Sequence, residues 1–519
     1  MNMPSTPSAR RKAPSSLLRR AGQHCLTAAA MLCLSACAVG PDYRKPPVQV
    51  PETFKEGADW QRAQANPQGA ISSTWWLQYH DEELQRLMDE AFKANQSIVA
   101  AEANYRLAQA TVAANVATLY PSVSAGISGT RSGTGPGATT SGTSSGVQSN
   151  VSANVTASWE PDLWGQIRRQ IESSKASAQG SDAQLAGERL SIAASVATDY
   201  FELRQADIDI GLLQQQQQID ARILQMTQAG FAQGAASNDE VLVAQDSLEL
   251  VIADLQSTQT SREQYEHAIA VLTGVPPGSF SIAPRQDYAF AMPVVPLALP
   301  SQLLERRYDV VNAERTAASA NAKIGVAEAA FFPTLDLSVE GGFQHNSLAN
   351  LFSLPNRFWT LGPSLAGTIF DGGARSAAVR EARATYDADV ANYRQTVLTA
   401  FQNVEDSLSL WNHLQQQAQA YANIYQRNQK LFDSEHAQWN VGTASEQSLL
   451  TQQLTLLLAE QTLKDTQALL TQSSVALIKN LGGGWQWDQA RGTAAQSAAD
   501  SASAQQRKAA SSTAAASAP

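Results

Sequence analysis

Val151-Ser152-Ala153-Asn154-Val155-Thr156-Ala157-Ser158-Trp159 alternates apolar and small polar residues across nine positions without interruption. Period-two alternation marks a strand with two different faces. A tilted strand needs about 9 to 11 residues to cross a bilayer, and the closing Trp is of the kind found at membrane interfaces. Three further stretches repeat the pattern: Val123, Ala125, Ile127 and Gly129; Leu335, Leu337, Val339, Gly341 and Phe343; and Trp359, Leu361, Pro363, Leu365, Gly367 and Ile369. One chain therefore offers four membrane-type strands.

Outward from this stretch, the flanking sequence is helical. A helical pattern begins at Asp81 with Leu84, Leu87, Met88, Ala91 and Phe92 and runs to about Leu119, where Pro121 stops it. After Asp162-Leu163-Trp164-Gly165 a pattern free of Pro extends from about Gln166 to Ala229. At 1.5 Å per residue this helix would be about 95 Å long, more than a globular core needs. The pattern breaks at Gly230 to Ala236 and resumes from Ser237 to Leu272. Residues 131–149 are almost all Ser, Gly, Thr, Ala, Pro, Val and Gln and read as a hairpin loop. Gly133, Gly135 and Gly137 lie between two strands, which is the wrong context for a phosphate cradle.

The second half repeats the first. Glu102 and Glu314 each precede a proline, Pro121 and Pro333, by 19 residues, and Gly234 and Gly442 each precede a glycine, Gly274 and Gly482, by 40. Strand, loop, strand and a helix from about Ala374 to Ala437 recur in the same order, the signature of a tandem duplication.

The N-terminus reads as an export signal. Arg10, Arg11, Lys12, Arg19 and Arg20 precede a short apolar run, Cys25 to Leu34, that ends in Leu34-Ser35-Ala36-Cys37. This resembles a bacterial lipoprotein signal, in which the Cys becomes an acylated N-terminus. All three cysteines lie in the first 37 residues, so a mature chain has no pair for a disulfide. Removing the signal leaves 32 basic against 47 acidic residues, a net charge of −15, which makes nucleic acid an improbable partner. The chain thus divides into a signal peptide (1–36), a lipid-anchored extended segment rich in Pro (37–80), a first repeat of helix, hairpin, long helix and helix (81–273), a connector (274–300), a second repeat (301–487) and a disordered tail (488–519).

Four strands cannot close a barrel, because single-chain bacterial barrels start at eight and open sheet edges are not tolerated in lipid. Two, three or four copies would supply 8, 12 or 16 strands, and eight would be filled by side chains, so a pore favours three or more. The helices are dominated by Ala, Gln, Ser and Thr with modest apolar stripes, which suits a hollow wall with two wet faces; a solvated coiled coil without a lumen is the alternative.

Five separated motifs occur in order: Cys37-Ala38-Val39-Gly40-Pro41-Asp42-Tyr43; Trp75-Trp76 followed by Leu84 and Asn95; Leu299-Pro300-Ser301 followed by Leu304-Glu305-Arg306-Arg307; Phe370-Asp371-Gly372-Gly373; and Leu481-Gly482-Gly483-Gly484-Trp485. Together they resemble the outer-membrane factor (TolC-like) family of NodT-type efflux lipoproteins over about residues 37–487. The resemblance implies a mostly α fold with transmembrane β: a homotrimer with a 12-stranded β-barrel continued by a long periplasmic α-helical barrel. It further implies lipidation at Cys37, contact with outer-membrane lipid, and docking to a periplasmic membrane-fusion adaptor and an inner-membrane RND pump. Tyr308 departs from the family pattern, where many relatives have Pro at a helix start.

The tip turns are expected at Gly230 to Ser237, around Gly234, and at Val441 to Ser445, around Gly442. Relatives often close the tunnel with acidic residues just beyond these turns. The corresponding second-half position here is Thr451, so the gate must differ in detail, and Asp239, Asp246 and Glu446 are its candidates. Ser237 with Glu240, and Thr443 with Glu446, also have the spacing of a capping box.

No catalytic constellation is present. The six histidines are scattered without metal-ligand spacing, and no cofactor or metal is expected. The expected function is a passive exit duct in the outer membrane of a tripartite efflux pump, carrying drugs or other small molecules. A lipid-anchored coiled-coil adaptor without a pore is the second reading, and four bilayer-length strands argue against it.

Overall fold

The computed structural model of the chain describes residues 38–51, 54–57, 72–134, 146–291 and 307–485. Cys37 and the segment read as a tail lie outside them. Strands β1 (Ser122–Thr134), β2 (Gly146–Trp159), β3 (Thr334–His345) and β4 (Arg357–Ala366) form one antiparallel sheet in sequence order. Each strand is 10 to 14 residues long. β1 and β4 each pair on one side only, so both edges of the sheet are open.

β4 ends three residues before the expected Ile369, which is fully exposed in the following loop. The ladder stops at Thr334 opposite Ala366. Beyond it Gly367 comes against Pro333, which has no N–H to donate.

The helices reproduce the duplication residue for residue. α1 (Glu82–Ala94) precedes α2 (Gln96–Ala117), which with α5 (Tyr308–Ala329) has 22 residues. α3 (Gln166–Ala232) and α6 (Ala374–Asn440) each have 67, or about 100 Å of helix. α4 (Asn238–Leu272) and α7 (Glu446–Asn480) each have 35.

The expected single helix from Asp81 to Leu119 is two helices. Asn95 ends α1 and caps α2: its Oδ1 accepts from Ser97 N at 2.9 Å and Ile98 N at 3.2 Å, while its Nδ2 donates to Leu272 O at 2.9 Å. An asparagine so satisfied outside the helix geometry costs less there than inside it. Asp81 caps α1 in the same way, accepting from Glu83 N and Leu84 N.

The chain forms two compact units. One contains the sheet, with Ala108–Ala178, Thr316–Asp389 and the described residues up to Lys45. There α3 and α5 meet through small side chains, with Ser173 Oγ 2.8 Å from Ser319 Oγ and Ala317, Ala320 and Ala322 buried. The other unit holds the main apolar core: Trp75, Tyr79, Leu84, Leu87, Met88, Tyr200, Phe201, Leu203, Ile269, Leu477 and Ile478. Each such side chain contributes about 1.5 to 3 kcal/mol by burial.

Trp75 and Trp76 stand in a one-turn 3-10 helix, Trp75–Tyr79, packed into that core. Residues 72–80 are therefore not the extended tether expected of them. The aromatic side chains outweigh the prolines, which all lie further upstream in this segment.

Candidate pore face and periplasmic tip

The sheet register sorts the strands into two faces. Residues directly opposite in an antiparallel pair share a face. One row across all four strands reads Ser122, Ser158, Ser338 and Gly362, the next Ser124, Thr156, Glu340 and Thr360, and a third Gly126, Asn154, Gly342 and Phe358. The other face reads Val123, Ala157, Val339 and Leu361, then Ala125, Val155, Gly341 and Trp359. Val123, Ile127, Trp359, Leu361 and Leu365 are all more than 65% exposed. Apart from Arg131, Ser149, His345 and Arg357 toward its hairpin-loop end, this face is apolar, and such a face on a sheet without a covering layer is what lipid requires.

The polar face holds Asp336 and Glu340. Asn154 Nδ2 donates to Glu340 Oε1 at 2.6 Å, and Asp336 stands opposite Ser364. Ser122–Ser158 and Ser128–Ser152 hydroxyl pairs, 2.9 Å each, line the same face.

The two turns expected at the tip join α3 to α4 and α6 to α7. Gly234 and Gly442 both adopt positive φ, 74° and 78°, where an L side chain would be strained. Ser237 and Glu240 form a complete capping box, Ser237 N donating to Glu240 Oε2 at 2.6 Å and Glu240 N to Ser237 Oγ at 3.2 Å. The second turn differs from the expected Thr443–Glu446 box. Ser445 is the cap, accepting from Ser448 N at 3.1 Å, and the Thr443 hydroxyl donates to Gln438 O. Thr443 and Ser445 are both capping residue types, and the later one wins because Thr443 is committed to closing α6.

Glu446 is thereby free to act at the first position of α7. It receives Arg222 Nε at 2.7 Å and Arg222 Nη2 at 3.0 Å, a bidentate pair between α3 and α7. The Arg222 guanidinium holds the Glu446 carboxyl below its ordinary range. Asp239 and Asp246 lie in the first turns of α4, exposed, and form no ion pair among the described residues. The structure thus pairs Glu446 alone of the three candidate gate residues. Thr451 donates its hydroxyl to Gln447 O within its own helix.

A second site was not visible in the sequence. Arg169, 6% exposed, fixes the residues that follow Cys37. Its Nε donates to Val39 O at 3.1 Å, and its Nη2 to Gly40 O at 3.0 Å and Asp42 Oδ1 at 2.9 Å. Val39 N donates to Trp164 O, and Asn321 Nδ2 to Pro41 O. Gly40, at φ 99°, lies so close to Gly325 that a Cβ would stand 2.4 Å from the latter's Cα, and Gly165 meets Ala38 in the same manner.

Comparison with known proteins converges on one family. The outer membrane efflux protein family matches residues 87–275 and 299–483. A probable efflux pump outer membrane protein of Pseudomonas putida, TtgC, is 29% identical over 452 residues, covering 87% of this chain and 93% of its own. Nodulation protein T of Rhizobium leguminosarum is 27% identical over 389 residues, 73% of this chain and 76% of its own. The solved outer-membrane channel OprN superposes with a TM-score of 0.76 at 29% identity, over 87% of this chain and 100% of that one. The chain, with its amphipathic transmembrane-type sheet and long polar helices, belongs to the outer membrane efflux protein family and is an outer-membrane exit duct for efflux, not an enzyme.

Proposed function

We propose that three copies of this chain close a 12-stranded barrel in the outer membrane and act as the passive duct of a tripartite efflux pump. The observation that carries this is the four-stranded sheet with one lipid-compatible face and two open edges. Unpaired N–H and C=O groups are not tolerated in lipid, so β1 of one copy must pair with β4 of the next. Two copies would give eight strands around a filled interior, and three give a lumen. The helices of the three copies then form a periplasmic tunnel that meets a membrane-fusion adaptor and an inner-membrane pump at the tip turns.

Cys37 carries the lipid anchor in this reading. The support is the Arg169 clamp, which holds Ala38 to Asp42 beside Gly165, six residues after the last residue of β2. An acyl chain at the preceding residue then enters the membrane at the periplasmic end of the strands. The Arg222–Glu446 pair, with Asp239 and Asp246, governs whether the tip is open.

Planar-bilayer recording of the purified protein, with its mass in detergent measured alongside, tests the reading. A trimer mass and discrete conductance steps are expected. A monomer or dimer mass, or silence even in tip variants that remove Glu446 or Asp246, overturns it.

A further inference from the structure

Asp209 on α3 and Asp465 on α7 are gathered around one neutral amide. Gln205 Nε2 lies 3.1 Å from both Asp209 carboxylate oxygens and 2.5 Å from Asp465 Oδ1. Gln461 adds a further side-chain hydrogen bond to Asp209. Two amide hydrogens thus serve three carboxylate oxygens at a half-buried site, without bringing a positive charge to it. Gln205 Oε1 is buried and makes no hydrogen bond among the described residues.

The surrounding arginines are committed elsewhere. Arg204 of α3 and Arg262 of α4 both bind Asp207, at 2.9 and 2.6 Å, and Arg262 also reaches Glu266. Glu263 of α4 is exposed. Arg285 of the connector faces Asp287 and the Tyr288 ring. α6 has no charged residue between His413 and Arg427. On α7 Glu460 and Lys464 flank the site, and Lys464 forms no ion pair among the described residues. Among the described residues, Asp465 is the charged group whose field acts on Asp209.

We propose that Asp209 and Asp465 form a proton-operated clasp between α3 and α7. One proton taken up from solvent by the pair leaves a single negative charge on the Gln205 amide and fastens the helices; its loss leaves two like charges gathered on that one amide, and their repulsion loosens the contact. Burial, followed by the Asp465 charge, pushes Asp209 up to about 7, and burial also raises Asp465. A native value above the ordinary 3.8 means that the folded state binds the proton more tightly than the unfolded chain. The clasp therefore contributes most at low pH and is lost as pH rises through about 7. α3 and α7 are also the helices tied by Arg222 and Glu446, so acid fastens the arm that ends in the tip pair. The connection to opening rests on the duct reading; the clasp itself does not.

Hydrogen exchange of the full-length protein in detergent, corrected for intrinsic chemical rates, tests this at pH 5.5 and 7.5. Peptides covering residues 200–214 and 457–470 should exchange about twentyfold more slowly at pH 5.5, the ratio that linkage gives for a carboxyl near 7 in the folded state and 3.8 in the unfolded chain. Asp199→Asn, which removes that residue's own titration, should keep most of the difference, and in that background Asp209→Asn or Asp465→Asn should each abolish the rest by staying protected at both pH values. If one Asn variant fails to fold, the other carries the same test. Equal wild-type protection at the two pH values, or a difference that survives Asp209→Asn and Asp465→Asn in that background, overturns the clasp. Protection at pH 7.5 restored by magnesium or calcium in wild type alone would make the pair a cation site and overturn the proton reading. None of these readouts needs a trimer or a pore.

Discussion

Arg222 and Glu446, 224 positions apart in sequence, meet through two hydrogen bonds of 2.7 and 3.0 Å and so join the end of α3 to the first residue of α7. Both side chains are partly exposed, at 46% and 35%. An ion pair so placed contributes little to folding and acts instead on the choice between two arrangements of the tip. Glu446→Gln should raise the open probability in planar bilayers and leave the melting temperature unchanged. Arg222→Glu combined with Glu446→Arg should restore the closed state. Asp246→Ala should act in the same direction as Glu446→Gln. Unaltered conductance in both single variants would remove these residues from the gate.

The N-terminal clamp predicts a different phenotype. Arg169→Met leaves two backbone carbonyls without their charged donor and should destabilise the protein by about 2 kcal/mol. Residues 38–45 should become sensitive to protease in that variant. Gly40→Ala should do the same, since φ 99° and the contact with Gly325 leave no space for a Cβ. A protease pattern identical to wild type in both would show that the segment is held by other contacts.

Asp199 supplies a pH test separate from the clasp. Burial, followed by the Glu202 charge, pushes its carboxyl up to about 6. Because the native value lies above the ordinary 3.8, the native state favours the proton, and stability from this group falls as pH rises from about 4 through 6. Asp199→Asn should therefore raise the melting temperature at pH 8 and have little effect at pH 4. A thermal shift that is the same at both pH values would contradict the assignment.

Glu340 faces the lumen in the proposed barrel, between Thr156 and Thr360 in the register. Under a salt gradient in a planar bilayer, Glu340→Lys should shift the reversal potential toward anions. Measuring it in the Glu446→Gln background keeps the tip from masking the effect. No shift would place Glu340 outside the conducting path.

Features set by local periodicity were legible in the sequence. The alternation in Val151 to Trp159 names the two faces that the register later aligns across four strands, and the equal spacing of Gly234 to Gly274 and Gly442 to Gly482 matches the equal lengths of α4 and α7. What required a distant partner was not legible. Asn95 breaks the first helix because Leu272 O completes its hydrogen bonding, and Arg222 sits in a Gln-rich stretch that gives no sign of Glu446. Arg169 is hidden for the same reason, since its acceptors lie about 130 residues earlier. The second tip offered two capping residues, Thr443 and Ser445, and only the geometry of the α6 end selects between them.

The two open sheet edges also bear on inheritance. A protomer whose β1 and β4 remain unpaired is unfinished, so membrane insertion and ring closure must occur together. In the proposed ring of three copies, a chain that folds but cannot offer its β4 edge would spoil every ring that it joins. In a cell making equal amounts of normal and defective chains, only about one ring in eight would be intact if copies mix at random around a closed symmetric ring. Damage confined to β4 should therefore be dominant, whereas loss of the whole chain should be recessive.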